Sequence, residues 1–264
     1  AAAAVGTGVV TAGKAFATIG TSGVVFAHAD QVQIDPKGRV HTFCAAVPGA
    51  YTVMSCTLAA GLSLKWFRDQ FCQAECQTAA QMGEDPYTLM SQEAAQSPIG
   101  ANRLVYLPYL MGERSPHNNP DARGTFIGLT MDTTREDMTQ AVLEGVAFAI
   151  RDSFEVAKSL GIQIERTKIC GGGAKSPLWR RMIANVLNIK VDRIESEEGP
   201  ALGGAMLAAV ACGVFSSVEE AAEKIVRVTE TIEPEPELVE KYERQYQKFA
   251  KIYPTVKDLF TELL

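Results

Sequence analysis

The chain has 264 residues, 47% of them hydrophobic and 21% charged, and a formal net charge of −6. That length can bury a full core in one large α/β domain or two modest ones. No run of about 18 apolar residues could cross a bilayer as a helix, and no basic, aromatic-interleaved stripe points to nucleic acid.

Residues 1–10 are small and apolar but lack the basic start and cleavage-type ending of a signal peptide, so they read as a core segment entered midway. Residues 16–19 and 23–27 are short β-type runs joined by Gly20-Thr21-Ser22-Gly23, which predicts a hairpin with a glycine-rich tip. Residues 51–58 predict a strand. Leu62, Leu64, Trp66, Phe67 and Phe71 predict a helix after it, and Gly83-Glu84-Asp85-Pro86 closes the region. Residues 102–110 are strand-like, with Pro108 fitting only a strand end or edge. A polar loop over 112–124 leads to a strand over 125–129.

Thr134 with Asp137 three residues on resembles a helix N-cap. Met138, Val142, Val146, Ala149, Ile150, Phe154 and Ala157 follow at three- and four-residue steps, predicting an amphipathic helix packed on a sheet until Gly161 stops it. Residues 166–170 predict a strand, 177–187 a helix, 190–194 a strand and 200–212 a helix rich in Ala and Gly. After Ser217 come a short helix, the acidic linker Glu233-Pro234-Glu235-Pro236 and a last helix with a kink expected at Pro254. Its stripe of Leu238, Tyr242, Tyr246, Phe249 and Ile252 is expected to pack back on the domain, with homodimer formation through Tyr242, Tyr246 and Phe249 as the second use. Strands followed by alternating β and α elements describe a single mixed α/β domain with flanking helices.

Six cysteines are scattered without the His-paired spacing of a zinc site, so no metal site is expected, and reduced thiols imply a cytoplasmic location. Cys72 and Cys76 could share one helix face. Four motifs stand out. In the tip Gly20-Thr21-Ser22-Gly23, consecutive N–H groups and two hydroxyls can face a phosphate without a lysine, or the tip can be a plain turn. Cys170-Gly171-Gly172-Gly173-Ala174-Lys175-Ser176-Pro177 follows a strand and opens a helix; its glycines let backbone pass close to a flat ligand beside a helix N-terminus, though the turn can also be structural. The loop from Met111 through Glu113, Arg114, Ser115 and His117 to Thr130 is dense in charge and amides. In Glu198-Gly199-Pro200-Ala201-Leu202-Gly203-Gly204-Ala205 two glycines enter the first helical turns, each costing roughly 1 kcal/mol against alanine, so close packing or a ligand must offset them.

In this order and spacing the four motifs resemble the C-terminal domain of the FGGY family of carbohydrate kinases over nearly the whole chain. Gly112-Glu113-Arg114-Ser115-Pro116-His117 with Asn119-Pro120 and Ala122-Arg123-Gly124 is most similar to its xylulokinase branch. Gly124, Phe126, Gly128, Leu129, Asp137, Met138, Ala141, Val142, Leu143 and Glu144 resemble the family's second signature. The resemblance implies the actin-like ATPase fold, two RNase H-like domains across a cleft, with this chain, 1–264, as the ATP-binding domain and the N-terminal sugar-binding domain absent from it. It implies ATP and Mg²⁺ as cofactors and a small-molecule sugar as substrate. Position by position, Gly20, Thr21 and Ser22 face the phosphates, Gly128 lines the nucleotide cleft, Gly172 and Gly173 pass against the adenosine and Ser176 lies near the base. No catalytic residue is expected in the chain, because the resemblance puts the family's general-base aspartate just before Ala1, ahead of the small-residue segment from Ala1 to Gly8. The function implied is ATP-dependent phosphorylation of a ketopentose, D-xylulose first, by the whole protein, with the fragment alone inactive. The alternatives are another polyol or sugar (glycerol, ribulose, gluconate) or a non-catalytic actin-like nucleotide-binding module.

Overall fold

A computed structural model describes residues 1–196 and 198–263. Its frame is a seven-stranded mixed sheet built from β1 (Gly13–Ile19), β2 (Gly23–Ala29), β3 (His41–Cys44), β4 (Tyr51–Thr57), β7 (Ile164–Cys170), β8 (Lys190–Ile194) and β9 (Val228–Ile232), in the order β3-β4-β2-β1-β7-β8-β9. A separate two-stranded sheet pairs β5 (Val105–Leu107) with β6 (Thr125–Ile127). The predicted hairpin is present, with Ile19 opposite Gly23. Its first strand is also the centre of the sheet. β1 runs parallel to β7, setting Thr18 beside Cys170, and β7 runs parallel to β8.

Both faces of β1 are covered, which explains its nearly unbroken apolar run. Ala15, Ala17 and Ile19 enter the main core, while Phe16 faces a second cluster with Ala4 and Val9. Over the main-core face lie α2 (Gly61–Phe71), α4 (Pro86–Ala94), α5 (Arg135–Ser159), α6 (Pro177–Leu187) and α9 (Pro236–Glu262), with α3 (Gln73–Met82) packed against α2 and α4. On the other side, α1 (Ala2–Gly6), α7 (Gly199–Ala211) and α8 (Val218–Ile225) form a smaller core around Val5, Met206 and Ala221. Residues 4–10 are therefore buried, as expected of a core segment, while Ala2 and Ala3 are half-buried and Ala1 is not covered. That residue is exposed at the N-cap of α1, where its carbonyl accepts from Val5 N at 3.3 Å.

α5 carries the predicted cap in full: Thr134 Oγ1 accepts from Asp137 N at 3.3 Å, and the Asp137 carboxylate accepts from Thr134 N at 3.2 Å. The expected stripe is too narrow, because an unbroken run from Thr139 to Ile150 is buried. α5 is a central helix enclosed by the sheet and by its neighbouring helices, so it has no polar face along that run. β5 is shorter than the strand expected over 102–110. Ala101, Asn102 and Arg103 take positive φ in a 3-10 turn, with Asn102 Nδ2 donating to Asp137 at 2.8 Å. The helix expected to kink at Pro254 passes through it as one element. Pro254 is exposed, so the carbonyl that loses its partner can bond water.

The aromatic stripe of α9 packs inward: Tyr246 and Phe249 set their rings 6.0 and 5.4 Å from that of Phe148, and Tyr242 is buried with them. Those side chains are used within the chain, so the homodimer contact considered for Tyr242, Tyr246 and Phe249 has no free surface there.

The two glycines of α7 separate into different roles. A Cβ on Gly203 would overlap the Ala2 carbonyl and sit 2.8 Å from Gly6 N, whereas a Cβ on Gly204 meets nothing within 4 Å. Close approach of α1 explains Gly203; nothing among the described residues explains Gly204. Gly203→Ala is expected to lower unfolding free energy by about 2 kcal/mol or more through overpacking, and Gly204→Ala to raise it by roughly 0.5–1 kcal/mol through helix propensity. Urea denaturation of the two variants checks the contrast, and equal effects would contradict it.

Candidate functional site

Parallel pairing decides where the site lies. Because β1 and β7 run the same way, the tip after Ile19 and the glycine turn after Cys170 emerge side by side at one end of the sheet, the position where open α/β sheets bind ligands. Gly171, at φ +86°, lets the chain leave β7 hard against β1: a Cβ there would stand 2.8 Å from the Ile19 carbonyl. A cavity of about 780 Å³ opens between the two turns, a volume in the range of small-molecule sites.

Three walls enclose it. Ile19, Gly20 and Thr21 with Gly61, Leu62, Leu64 and Lys65 of α2 make the first. Gly172, Gly173, Lys175 and Ser176 with the start of α6 make the second, and Asp85, Tyr87, Thr88, Ser91, Gln92 and Ala95 in and around α4 make the third. Five of the seven binding residues named from the sequence, Gly20, Thr21, Gly172, Gly173 and Ser176, are thus brought together. Ser22 and Gly128 are not among the lining residues. The Ser22 hydroxyl lies against the Cys56 thiol; burial and Glu113 push that thiol up, and Ser22 pulls it the other way. Gly128, at φ +100°, packs under the Arg103 carbonyl, because β6 pairs with β5 rather than with the main sheet. Ala1, the position expected to follow the general base, is not among the lining residues either, since α1 packs against α7 on the other side of the sheet.

The two glycines of the second wall differ as well. Gly172 faces open space, whereas a Cβ on Gly173 would sit 2.7 Å from Ile19 Cβ and 2.9 Å from Trp179 Cζ3. Gly172 offers clearance to a ligand; Gly173 offers it to the core. Ser176 caps α6, its Oγ accepting from Trp179 N at 3.3 Å and lying 3.2 Å from Ser91 Oγ, so it ties the second wall to the third.

Among the described residues, no hydrogen bond within the chain occupies the N–H groups of Thr21, Ser22, Gly172 and Gly173. Such clustered donors suit an anion. Among the described residues, fixed charge on the walls is sparse: Lys65 is paired with Asp69 at 2.7 Å, Lys175 is present, and Asp85 is the one carboxylate lining the cavity. Among the described residues no group of three or more His, Cys, Asp or Glu could hold a metal ion.

α4 is the part of the site that reading the sequence misses. A signal is there: Asp85 caps the helix by accepting from Tyr87 N at 3.0 Å, with Pro86 at the first helical position. From the sequence those residues read only as the end of the preceding region.

Comparison with known proteins agrees with this architecture. Residues 15–212 match the FGGY family of carbohydrate kinases, C-terminal domain. The xylulose kinase of Bacillus subtilis (strain 168) is 37% identical over 260 residues, which are 98% of this chain and 50% of that protein. The gluconokinase of Bacillus licheniformis is 32% identical over 260 residues, again 98% of this chain and 50% of that protein. The crystal structure of a xyloylose kinase from Brucella ovis superposes with a TM-score of 0.85 at 35% identity, covering 98% of this chain and 51% of that one. The chain therefore spans about half the length of the curated relatives it matches. The fold is the actin-like ATPase fold that the resemblance implied. Since the matched span holds both glycine turns and the strands that bring them together, the chain belongs to the FGGY family of carbohydrate kinases.

Proposed function

We propose that the chain is the nucleotide-holding domain of an ATP-dependent sugar kinase and that the whole protein phosphorylates a ketopentose, D-xylulose first. The observation that carries the reading is the cavity between the two glycine turns, with four main-chain N–H groups left open beside it. Backbone donors can hold polyphosphate on a chain of net charge −6 where few basic side chains are offered. In this reading the phosphates lie along Gly20, Thr21 and Ser22, the adenosine passes over Gly172 and Gly173, and the base ends near Ser176 and α4. Gly128 would act at the rim of the cleft, outside the enclosed volume.

Mg²⁺ would arrive with the phosphates, since it is commonly held by one or two carboxylates together with substrate oxygens rather than by a protein cage. The general base ahead of Ala1 and the sugar's main contacts would come from the other half of the polypeptide, a division supported by the half-length match to relatives. Phosphoryl transfer then depends on bringing the two halves together around γ-phosphate. The six free thiols fit a reducing, cytoplasmic setting.

Calorimetry of the chain with ATP and Mg²⁺ is expected to show binding, and an assay of the chain alone with D-xylulose to show no turnover. Supplying the sugar-binding half should restore transfer to D-xylulose, with glycerol, L-ribulose and gluconate as the competing substrates. Preference for gluconate would move the substrate toward the B. licheniformis relative. Binding without transfer in any combination would favour a non-catalytic module, and absence of nucleotide binding would end the proposal.

A further inference from the structure

The polar loop over residues 111–124 contributes no residue to the cavity walls, yet its first residues are fastened to the end of β4. Ser115 N donates to the Cys56 carbonyl at 3.0 Å, and Ser115 Oγ accepts from Cys56 N at 3.1 Å. Glu113 reaches one step farther along the chain. Its Oε2 accepts from Thr57 Oγ1 at 2.5 Å, and its Oε1 accepts from Leu58 N at 3.2 Å and from Arg114 N at 2.7 Å. Glu113 is 2% exposed, so these donors stand in for the water it has lost.

Two fully buried alanines, Ala59 and Ala60, follow, and the chain then grips the tip after β1. Ala60 N donates to the Thr21 carbonyl at 3.0 Å, Gly61 N to the Gly20 carbonyl at 2.7 Å and Leu62 N to the Thr21 carbonyl at 3.2 Å. The approach is so close that a Cβ on Gly61 would overlap the Gly20 carbonyl. A strut of hydrogen bonds at both ends, joined by the main chain through Ala59, therefore runs from the Glu113 carboxyl to the turn that faces the cavity. A buried carboxyl is a costly filler where an apolar side chain would serve, which argues that its bonding geometry is what the site uses.

We propose that Glu113 is a positioning residue: by fixing Thr57 and Leu58 it sets the Gly20 and Thr21 turn in the register that presents N–H groups to nucleotide phosphates. This rests on the nucleotide reading above. ADP engages that turn through its phosphates and adenosine does not, so the two ligands separate a local role from a general one.

Calorimetry on the chain with each ligand tests it. Glu113→Ala is expected to weaken ADP about tenfold and to leave adenosine within about twofold, the effect of losing buried hydrogen bonds at one place. Glu113→Gln, whose amide can accept both N–H bonds and donate to Thr57 Oγ1, should return ADP affinity to within about threefold of the original. Equal loss of both ligands in Glu113→Ala, or unchanged ADP affinity, overturns the proposal. Should Glu113→Ala not fold, Thr57→Val decides: a selective loss of about threefold for ADP supports the strut, and no selective loss overturns it. An unmodified chain that binds neither ligand removes the nucleotide reading itself, a result visible before any variant is made.

Discussion

Gly172→Val should weaken nucleotide binding tenfold or more in a folded protein, while Gly173→Val, one residue on, should prevent stable folding. At Gly172 nothing lies within 4 Å of an added Cβ and φ is not in the left-handed region, so the chain tolerates a side chain there. The two methyl groups project into the clearance that a nucleoside would need, and a loss of tenfold or more in affinity is expected from blocking a flat contact surface. At Gly173 the same substitution drives carbon into Ile19 and Trp179, which are 0% and 1% exposed. Neither yields easily: Ile19 closes the central strand and is fully buried, and the Trp179 ring is held by its Nε1 donating to the Leu143 carbonyl at 3.1 Å. Overpacking at such a site costs about 1–3 kcal/mol for modest insertions and more when backbone must move. Circular dichroism and urea denaturation, paired with ADP titration, separate the two outcomes. A folded Gly172→Val that binds ADP normally would take Gly172 out of the site, and a fully stable Gly173→Val would contradict the packing assigned to it.

The contrast between these glycines also shows what can be read from the sequence. Both turns are visible because each is local: apolar runs flank the β1–β2 tip, and a strand and a helix start flank Gly171 to Pro177. What joins them is β1 pairing with β7, a contact between distant parts of the chain that no local pattern records. The family resemblance supplies that link. Other parts of the architecture stay hidden for separate reasons. β3 and β9 are edge strands, and His41, Phe43 and Cys44 of β3 and Val228 to Thr231 of β9 are exposed, so hydrophobic alternation is lost. α4 buries only Met90 and Ala94, too few to mark a helical face, although it supplies a whole wall of the cavity. Glu113 stands out within its loop, but its inward direction follows from the fold of β4 onto that loop.

Lowering the pH from about 8 to about 5 should stabilise the domain, the reverse of what acid does to proteins held by ion pairs. Burial drives the change. It pushes the Glu113 carboxyl from 4.5 up to about 8, its Thr57, Arg114 and Leu58 donors pulling the other way, and the Glu144 carboxyl from 4.5 up to about 7 against bonds from Gly100 N and Gln140. A raised carboxyl contributes stability that is complete below the unfolded value and is lost as pH climbs through the folded one. In the unfolded chain both groups ionise above 4.5, while the folded chain keeps their protons until pH 7 to 8. At 1.36 kcal/mol per unit, Glu144 alone corresponds to roughly 3 kcal/mol across that window. His117 works in the opposite sense: burial lowers it from 6.5 to about 4, so its contribution is present above 6.5 and is lost as pH falls toward 4. Asp152, which burial pushes from 3.8 up to about 7 against its bond from Tyr246, acts with the two glutamates, and three carboxyls against one imidazole leave a net loss of stability with rising pH. At the acid end Asp35, drawn down to about 2 by its bonds to Arg39, begins to lose its contribution below 3.8, which places the maximum near pH 4–5. Calorimetric unfolding from pH 5 to 8 should therefore show a falling midpoint, and Glu144→Gln, which cannot ionise, should flatten the fall by about one proton's worth. A midpoint that rises steadily over that range would mean that these carboxyls are ionised in the folded chain, with the Glu113 carboxylate held by its Thr57, Leu58 and Arg114 donors.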